Sequence, residues 1–459
     1  MDKVNQNIQH LEKKRIGPLL AKLAIPTTIG LVANSLYNIV DTIFIGRGVG
    51  TLAIAGVGIV FPIQMIIMAL AQLIGLGAAS MVSRSLGKKN YEHAARVAGN
   101  SFLAISILGI ILTVLVFIFM APLLRLFGAT ENIFPYAYDY LSVISFGFIF
   151  FPFLVSTNNV IRAEGDAKNS MIIMLLATVL NIILDPIFIF VLGMGIRGAA
   201  LATVISQFIG FTYAISYYFL LRRSSLTIRL NHLKPELAIL KEMSSLGFAS
   251  FIKQVSMSLL IIIVNNSLKI YGGDIAIAAA SVIIRILMFI TMPLFGIVAA
   301  AQPMVAYNYG ANNMGRVKES IKISVLSTAA IGGFFFVILM VSPAQIIGLF
   351  SNDARLVSMA VFPLRMVIMF FPLIGFQVIG AGFFQSIGKA VPSIILSLSR
   401  QILFLIPLIL FLPMAMGITG IWISFPIADL LAIGITGILL YREFKSIDKL
   451  DIEPVYQKA

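Results

Sequence analysis

Cysteine is absent from the 459 residues, which excludes disulfides, thiol catalysis and thiolate-bound metals. Histidine is almost absent: His10, His93 and His232 lie far apart in polar stretches, too few to build a zinc cluster. Charge is scarce as well. Only 11% of the residues are Asp, Glu, Lys or Arg, against about 25% in a soluble chain. A chain of this length in water would need several domains with polar surfaces, and there is too little polar material to cover them. No Walker-type loop occurs, so ATP is not the energy source. Gly75-Leu76-Gly77-Ala78-Ala79-Ser80 has no lysine and sits in an apolar run, where it reads as close helix packing.

What is present is apolar: 59% of the residues are hydrophobic and the mean hydropathy is +1.01. A membrane-spanning helix needs ~20 apolar residues. Twelve stretches qualify, at 18–44, 52–82, 94–121, 134–160, 170–192, 198–221, 243–270, 276–306, 318–344, 357–384, 391–412 and 418–441. The expected fold is an all-α polytopic membrane protein. Its basic start, Lys13-Lys14-Arg15, leads into what reads as an uncleaved first span. The net charge of +14 would suggest nucleic acid in a soluble protein; here it reads as basic loops on the cytoplasmic side, with no nucleic acid partner. Of the 33 Lys and Arg, only Arg47, Arg125, Arg197, Lys269, Arg355 and Arg365 fall on the opposite side, and Lys253 and Arg285 fall within spans. Arg162 and Arg400 count among the cytoplasmic loop residues. Both termini are therefore expected in the cytoplasm.

The halves repeat. Gly50-Thr51-Leu52-Ala53-Ile54-Ala55 recurs as Gly273-Asp274-Ile275-Ala276-Ile277-Ala278, an offset of 223. The same offset takes Gly87 to Gly310, Leu126-Phe127 to Leu349-Phe350 and Gly165 to Gly388; after one lost residue, Gly195 and Gly198 map onto Gly417 and Gly420. Six spans per copy give both copies one orientation, so two six-helix bundles are expected about a pseudo-twofold axis along the membrane normal. The boundary is placed in the polar stretch 222–241, giving lobes 1–225 and 226–459.

Carboxylates in an apolar span are costly and therefore functional candidates. Well inside spans lie Asp41, Asp185 and Asp429; Asp139 falls towards the outer end of the fourth. Asn34, Tyr37, Asn38 and Asp41 follow a spacing of i, i+3, i+4, i+7, one helix face. Taken singly, such amides and hydroxyls serve equally as bundle glue; a stripe ending in a carboxylate favours function. Asn181 and Asp185 share a second face, and Pro186 leaves the carbonyl of Ile182 without its usual donor. The small residues Gly198-Ala199-Ala200-Leu201-Ala202-Thr203 permit close approach. These oxygens suit a hard cation, and equally a proton relay, because two adjacent carboxylates in low dielectric resist being charged together. The second half has no such acid pair. It carries Lys253, Gln254, Asn265 and Asn266, then Arg285 and Gln302, then Asp429, for which Lys253 or Arg285 is a candidate partner. Met257, Met288, Met292 and Met369 are candidates for a cavity wall that adapts to many shapes.

At this point the chain resembles the multidrug and toxic compound extrusion (MATE) family, in its DinF-like prokaryotic and archaeal branch. The resemblance rests on Ile25-Pro26, the run Leu36-Tyr37-Asn38-Ile39-Val40-Asp41-Thr42-Ile43-Phe44-Ile45-Gly46, Arg162-Ala163-Glu164-Gly165, Asn181 with Asp185-Pro186, and Gly198 to Thr203. It implies a V-shaped pair of lobes around a central cavity, exporting varied, often cationic, drug-like amphiphiles against inward Na⁺ or H⁺. It further implies a cation site of Asp41, Asn181, Asp185, the main-chain oxygen of Ala199, and Thr203. Pro26 would be a bending point, and Tyr37 and Asn158 would be polar neighbours of the drug pathway, to which Asn34, Asn38 and Met257 are added. The NorM-like branch carries carboxylates in helices 7 and 10, which this chain lacks. The expectation is a monomeric, multi-pass plasma-membrane antiporter without a cofactor beyond its coupling ion. The alternatives are a flippase for lipids or lipid-linked sugars, marked by a more cationic cavity, or an integral-membrane enzyme. For the enzyme the nearest acid pair, Glu164 and Asp166, reads better as a tight turn around Gly165. A receptor or channel fits the two-lobe repeat poorly.

Overall fold

The structure is a computed structural model that describes residues 2–350 and 354–456, without side chains at 2–6, 38, 51, 258, 274 and 448–456. Among these residues every regular element is helical. In the first half run α1 (Asp2–Lys13), α2 (Ile16–Gly48), α3 (Thr51–Gly87), α4 (Tyr91–Leu126), α5 (Phe134–Ile144), α6 (Gly147–Ala163), α7 (Ala167–Pro186) and α8 (Gly195–Phe219). There follow α9 (Leu237–Gly310), α10 (Met314–Val341), α11 (Pro343–Gly348), α12 (Ala354–Ile368), α13 (Phe371–Ser386), α14 (Ala390–Leu398), α15 (Ile406–Met416) and α16 (Ile418–Tyr456). Wider π-helical turns at Ile187–Val191 and Ser399–Leu405 interrupt the fifth and eleventh spans. Helices are what such a sequence must form, because hydrocarbon offers the backbone no partner and each N–H must bond within its own segment.

Ten stretches of helix among the described residues are long and apolar enough to cross a bilayer, with α9 supplying two; counting each bent pair, α5 with α6 (58°) and α12 with α13 (46°), as one span gives twelve. The breaks have local causes. In α9 the chain turns at Gly273, whose φ of 69° admits only glycine comfortably. In α4 the non-helical residue is Phe119, three before Pro122, whose ring crowds the preceding turn.

The chain divides into two compact units. Unit 1 comprises the chain up to Lys14 and Ile25–Gly247; unit 2 comprises Arg15–Ala24 and the chain from Phe248 on. The repeat read from the sequence is also a repeat of backbone geometry. Gly165 and Gly388 have φ of 82° and 86°, Gly195 and Gly417 have 58° and 59°, and Lys89 and Asn312 have 59° and 56°. Asn90 and Asn313 cap α4 and α10 by accepting from the N–H of His93 and Arg316. Gly109 lies against the carbonyl of Phe148, and its counterpart Gly332 against that of Phe371.

The units part later in the chain than position 225, and side-chain bonds explain why. The segment between α8 and α9 is moored to unit 1. Glu164 accepts from the Ser224 hydroxyl (2.7 Å), the Ser225 N–H (2.7 Å) and the Tyr218 hydroxyl (2.9 Å). His232 is buried against Glu92 at 2.9 Å, and Asn100 accepts from the N–H of Glu236 at 2.7 Å. The start of α9 then packs on α3 where Gly77 meets Met243 and Gly247 meets Leu73, too closely for a β-carbon at either glycine.

Candidate functional site

The polar stripe of α2 ends in the core of unit 1. Asp41 is 7% exposed and Asp185, contributed by α7, is 0% exposed; neither faces lipid. Their carboxyl groups stand within hydrogen-bonding reach of each other. Two carboxylates so placed repel unless a proton or a cation lies between them. Around them, Asn181 Nδ2 donates to Asp185 Oδ1 at 3.2 Å and to Thr203 Oγ1 at 3.1 Å, and the Tyr37 hydroxyl lies close to Thr203. Asp41 Oδ1, Asp185 Oδ2 and Asn181 Oδ1 are buried without a hydrogen-bond partner among the described residues. Three orphaned oxygens in one nest are an unusual cost for a packed interior, and they are the donor set a hard monovalent cation takes. Among the described residues no three acidic or histidine side chains cluster, so a divalent-metal cage is not formed.

The local fold explains the convergence. Pro186 ends the regular hydrogen-bonding of α7 directly after Asp185, and the π-helical turn that follows widens the helix there. Ala199, fully buried, lies in the second turn of α8, one turn before Thr203 on the same face. Asn38 belongs to the α2 stripe, but its side chain lies outside the described residues.

Beside the nest lies a cavity of about 140 Å³ in unit 1, room for several waters at roughly 10–15 Å³ each. Its wall includes Asn34, Tyr37, Asn158, Asn181 and Thr203, so three of the nest's residues are also cavity residues. Among the described lining residues Arg162 alone carries a charge. The sequence places it among the loop residues, but α6 continues to Ala163 and turns Arg162 inward, where it donates to Asn158 Oδ1 at 2.9 Å and to Asn159. Asn158 in turn holds Ser170 through two bonds of 2.8 Å, tying α6 to α7.

Unit 2 contains the remaining sequence candidates. Asp429 pairs not with Lys253 or Arg285 but with Arg400, whose Nε lies 2.5 Å from Asp429 Oδ1. Arg400 stands ten residues into an apolar stretch that begins at a basic loop, which groups it with the loop residues in the sequence; the π-helical turn places it, partly buried, against Asp429. Met257 is 43% exposed and accepts from Gln401 Nε2 at 3.4 Å. Pro26 is half-buried within the continuous helix α2, beside the point where the chain passes from unit 2 to unit 1. Asp139 pairs with Arg197 at 2.7 Å on the exposed rim. Glu164 and Asp166 flank Gly165 in the tight turn expected, though the bonds of Glu164 to the segment after α8 and of Asp166 to Tyr217 within α8 have no signal in the sequence, since these partners lie about 50 to 60 positions away.

The chain is similar to known proteins over nearly its whole length. The MatE family model matches residues 26–187 and again 248–411. The multidrug export protein MepA of Staphylococcus saprophyticus is 29% identical over 98% of this chain and 99% of its own length; MepA of Staphylococcus aureus is 29% identical over 93% of each. Among solved structures, a MOP superfamily transporter from Pyrococcus furiosus superposes with a TM-score of 0.90 at 28% identity, covering 96% of this chain and 98% of that one. A MATE transporter in a bent conformation also gives 0.90, at 29% identity over 97% and 98%.

Proposed function

Because the chain belongs to the MatE family of membrane transporters, we propose that it is an antiporter. It exports drug-like amphiphiles across the plasma membrane against inward flow of Na⁺ or H⁺, as a monomer with both termini in the cytoplasm. The observation that carries this reading is the buried contact between Asp41 and Asp185 beside a cavity that shares Tyr37, Asn181 and Thr203 with it. Shared residues make the two occupants interdependent. An ion in the nest removes the repulsion between the carboxylates and draws Asn181 and Thr203 towards itself, which reshapes the cavity wall. Departure of the ion frees those same groups for a substrate. Asp41, Asp185, the Asn181 amide oxygen and the Thr203 hydroxyl would hold Na⁺, with the Ala199 carbonyl one turn away; the two carboxylates alone suffice for a proton. Pro26 has no N–H for the carbonyl of Lys22, so α2 has a point at which it can bend as its stripe responds.

The membrane potential supplies about 2.3 kcal/mol per elementary charge per 100 mV, roughly a 50-fold gradient. The test is ethidium efflux from liposomes containing the protein, with Na⁺ and pH gradients imposed separately. One gradient is expected to drive efflux and Asp41→Asn to abolish that drive; equal efflux with and without both gradients would overturn the reading. A flippase for lipids or lipid-linked sugars is the second reading, favoured by Arg162 in the cavity wall. Gradient-dependent movement of a fluorescent phospholipid, with no ethidium efflux, would select it.

A further inference from the structure

At the positions where unit 1 lines its cavity, unit 2 places ions. The repeat carries Gly30, which packs on the cavity residue Met174, onto Lys253. It carries Ala177 or Thr178, depending on where the one residue is lost, onto Arg400, and Gln207 onto Asp429; all three unit 1 residues line the cavity. The scaffold is the same and the chemistry is not.

Arg400 is neutralised by Asp429. Lys253 is not: it forms no ion pair among the described residues, and the charge that acts on it is that of Arg400, of its own sign. Its companion is the ring of Phe295, 5.1 Å from the ammonium to the centroid. A cation–π contact contributes about 0.5–2 kcal/mol, well short of the hydration an ammonium gives up in an apolar surrounding. The trio therefore holds one cation in excess. Two acceptors beside it are also unused: Asp429 Oδ2 and Gln401 Oε1 are buried without a partner among the described residues. The π-helical turn that carries Arg400 and Gln401 is a feature that recurs at functional sites.

We propose that unit 2 holds an anion-binding site, formed by Lys253 and Arg400 and completed by Asp429 and Gln401. It takes the carboxylate or phosphate of an amphiphile that carries a hydrogen-bond donor beside that anion. The anion meets the uncompensated ammonium, and the donor satisfies Asp429 Oδ2 or Gln401 Oε1. The proposal rests on the transporter reading for its setting in the membrane, and not on ion coupling in unit 1. The ligand is a transported solute or a lipid headgroup, which share this chemistry.

The test uses the full chain in phosphatidylcholine nanodiscs and two probes, N-lauroylglycine, whose amide N–H lies beside its carboxylate, and its methyl ester. Isothermal titration is expected to show the acid bound at least about tenfold more tightly than the ester. Lys253→Met should erase that preference and Lys253→Arg should keep it. Phosphatidylglycerol in the disc identifies the source: competition with the acid marks a lipid headgroup, and its absence marks a solute. Equal binding of acid and ester by the wild type, or an undiminished preference in Lys253→Met, would overturn the proposal. Binding is read without transport, so a wild type that binds the acid yet exports nothing would refute the exporter reading alone.

Discussion

Unit 1 and unit 2 are built on one plan but place different charged groups inside it. Inside its spans the first buries Asp41 and Asp185 with no ion-pair partner among the described residues; the second pairs Arg400 with the buried Asp429 and leaves Lys253 without an ion pair among the described residues. Their turns agree to within a few degrees at Gly165 and Gly388, at Gly195 and Gly417, and at Lys89 and Asn312. The helices are thus set by the glycines, caps and apolar length that repeat. The chemistry resides in a few positions that changed without disturbing them.

The largest expected effect lies in unit 1. Asp41→Asn and Asp185→Asn should each reduce gradient-driven efflux at least about 100-fold, with the amount of protein in the membrane unchanged, as measured by vesicle efflux alongside quantitative blotting. In unit 2 a carboxylate has the other role. Asp429→Asn should leave ion dependence intact and instead destabilise the protein by about 3 kcal/mol, because the partly buried Arg400 loses its charged partner. Arg400→Met combined with Asp429→Leu should recover most of that loss in thermal unfolding. If Asp429→Asn abolished ion dependence, the division of labour between the units would be wrong.

A smaller effect tests packing. Gly247→Val places a β-carbon on the backbone of Leu73 and should lower the folded yield in detergent, at a cost of about 3 kcal/mol or more. Gly333→Ala on α10 of unit 2 meets open space and should leave the yield unchanged or slightly higher. Both are read by the monodisperse peak in size-exclusion chromatography.

The smallest effect is one of pH. Burial pushes the Glu164 carboxyl, at the end of α6, up to about 7, despite the bonds from Ser224, Ser225 and Tyr218 that favour its charged form. A carboxyl raised in the folded state contributes stability that is complete below its ordinary value near 4.5 and is lost as pH rises through about 7. Hydrogen exchange in the segment after α8 should therefore quicken, beyond its intrinsic pH dependence, between pH 6 and 8. Glu164→Gln should remove that excess.

Much of the architecture was legible because hydrocarbon imposes a single requirement on length and polarity. The spans follow from that, and the repeat follows from glycines that positive φ demands. Asp41 and Asp185 stood out because a carboxylate in an apolar run is costly wherever it points, although nothing in their spacing across 144 positions placed them in contact. Arg162 and Arg400 were missed for a shared reason. Both lie near a basic loop, and only the continuation of α6 and the π-helical turn after Leu398 shows that their side chains enter the bundle. The bends between α5 and α6 and between α12 and α13, and the mooring of the segment after α8, depend on partners distant in the chain. Hydropathy carries no record of them.

The interdependence of ion and substrate in unit 1 is read most directly by substrate-induced ion release from purified protein in detergent, with a pH-sensitive dye for H⁺ and ²²Na⁺ for Na⁺. Addition of ethidium to the wild type should release one of the two ions, and the Asp41→Asn, Asp185→Asn double variant should release neither. The same release from the double variant as from the wild type would contradict the assignment of the nest as the coupling site.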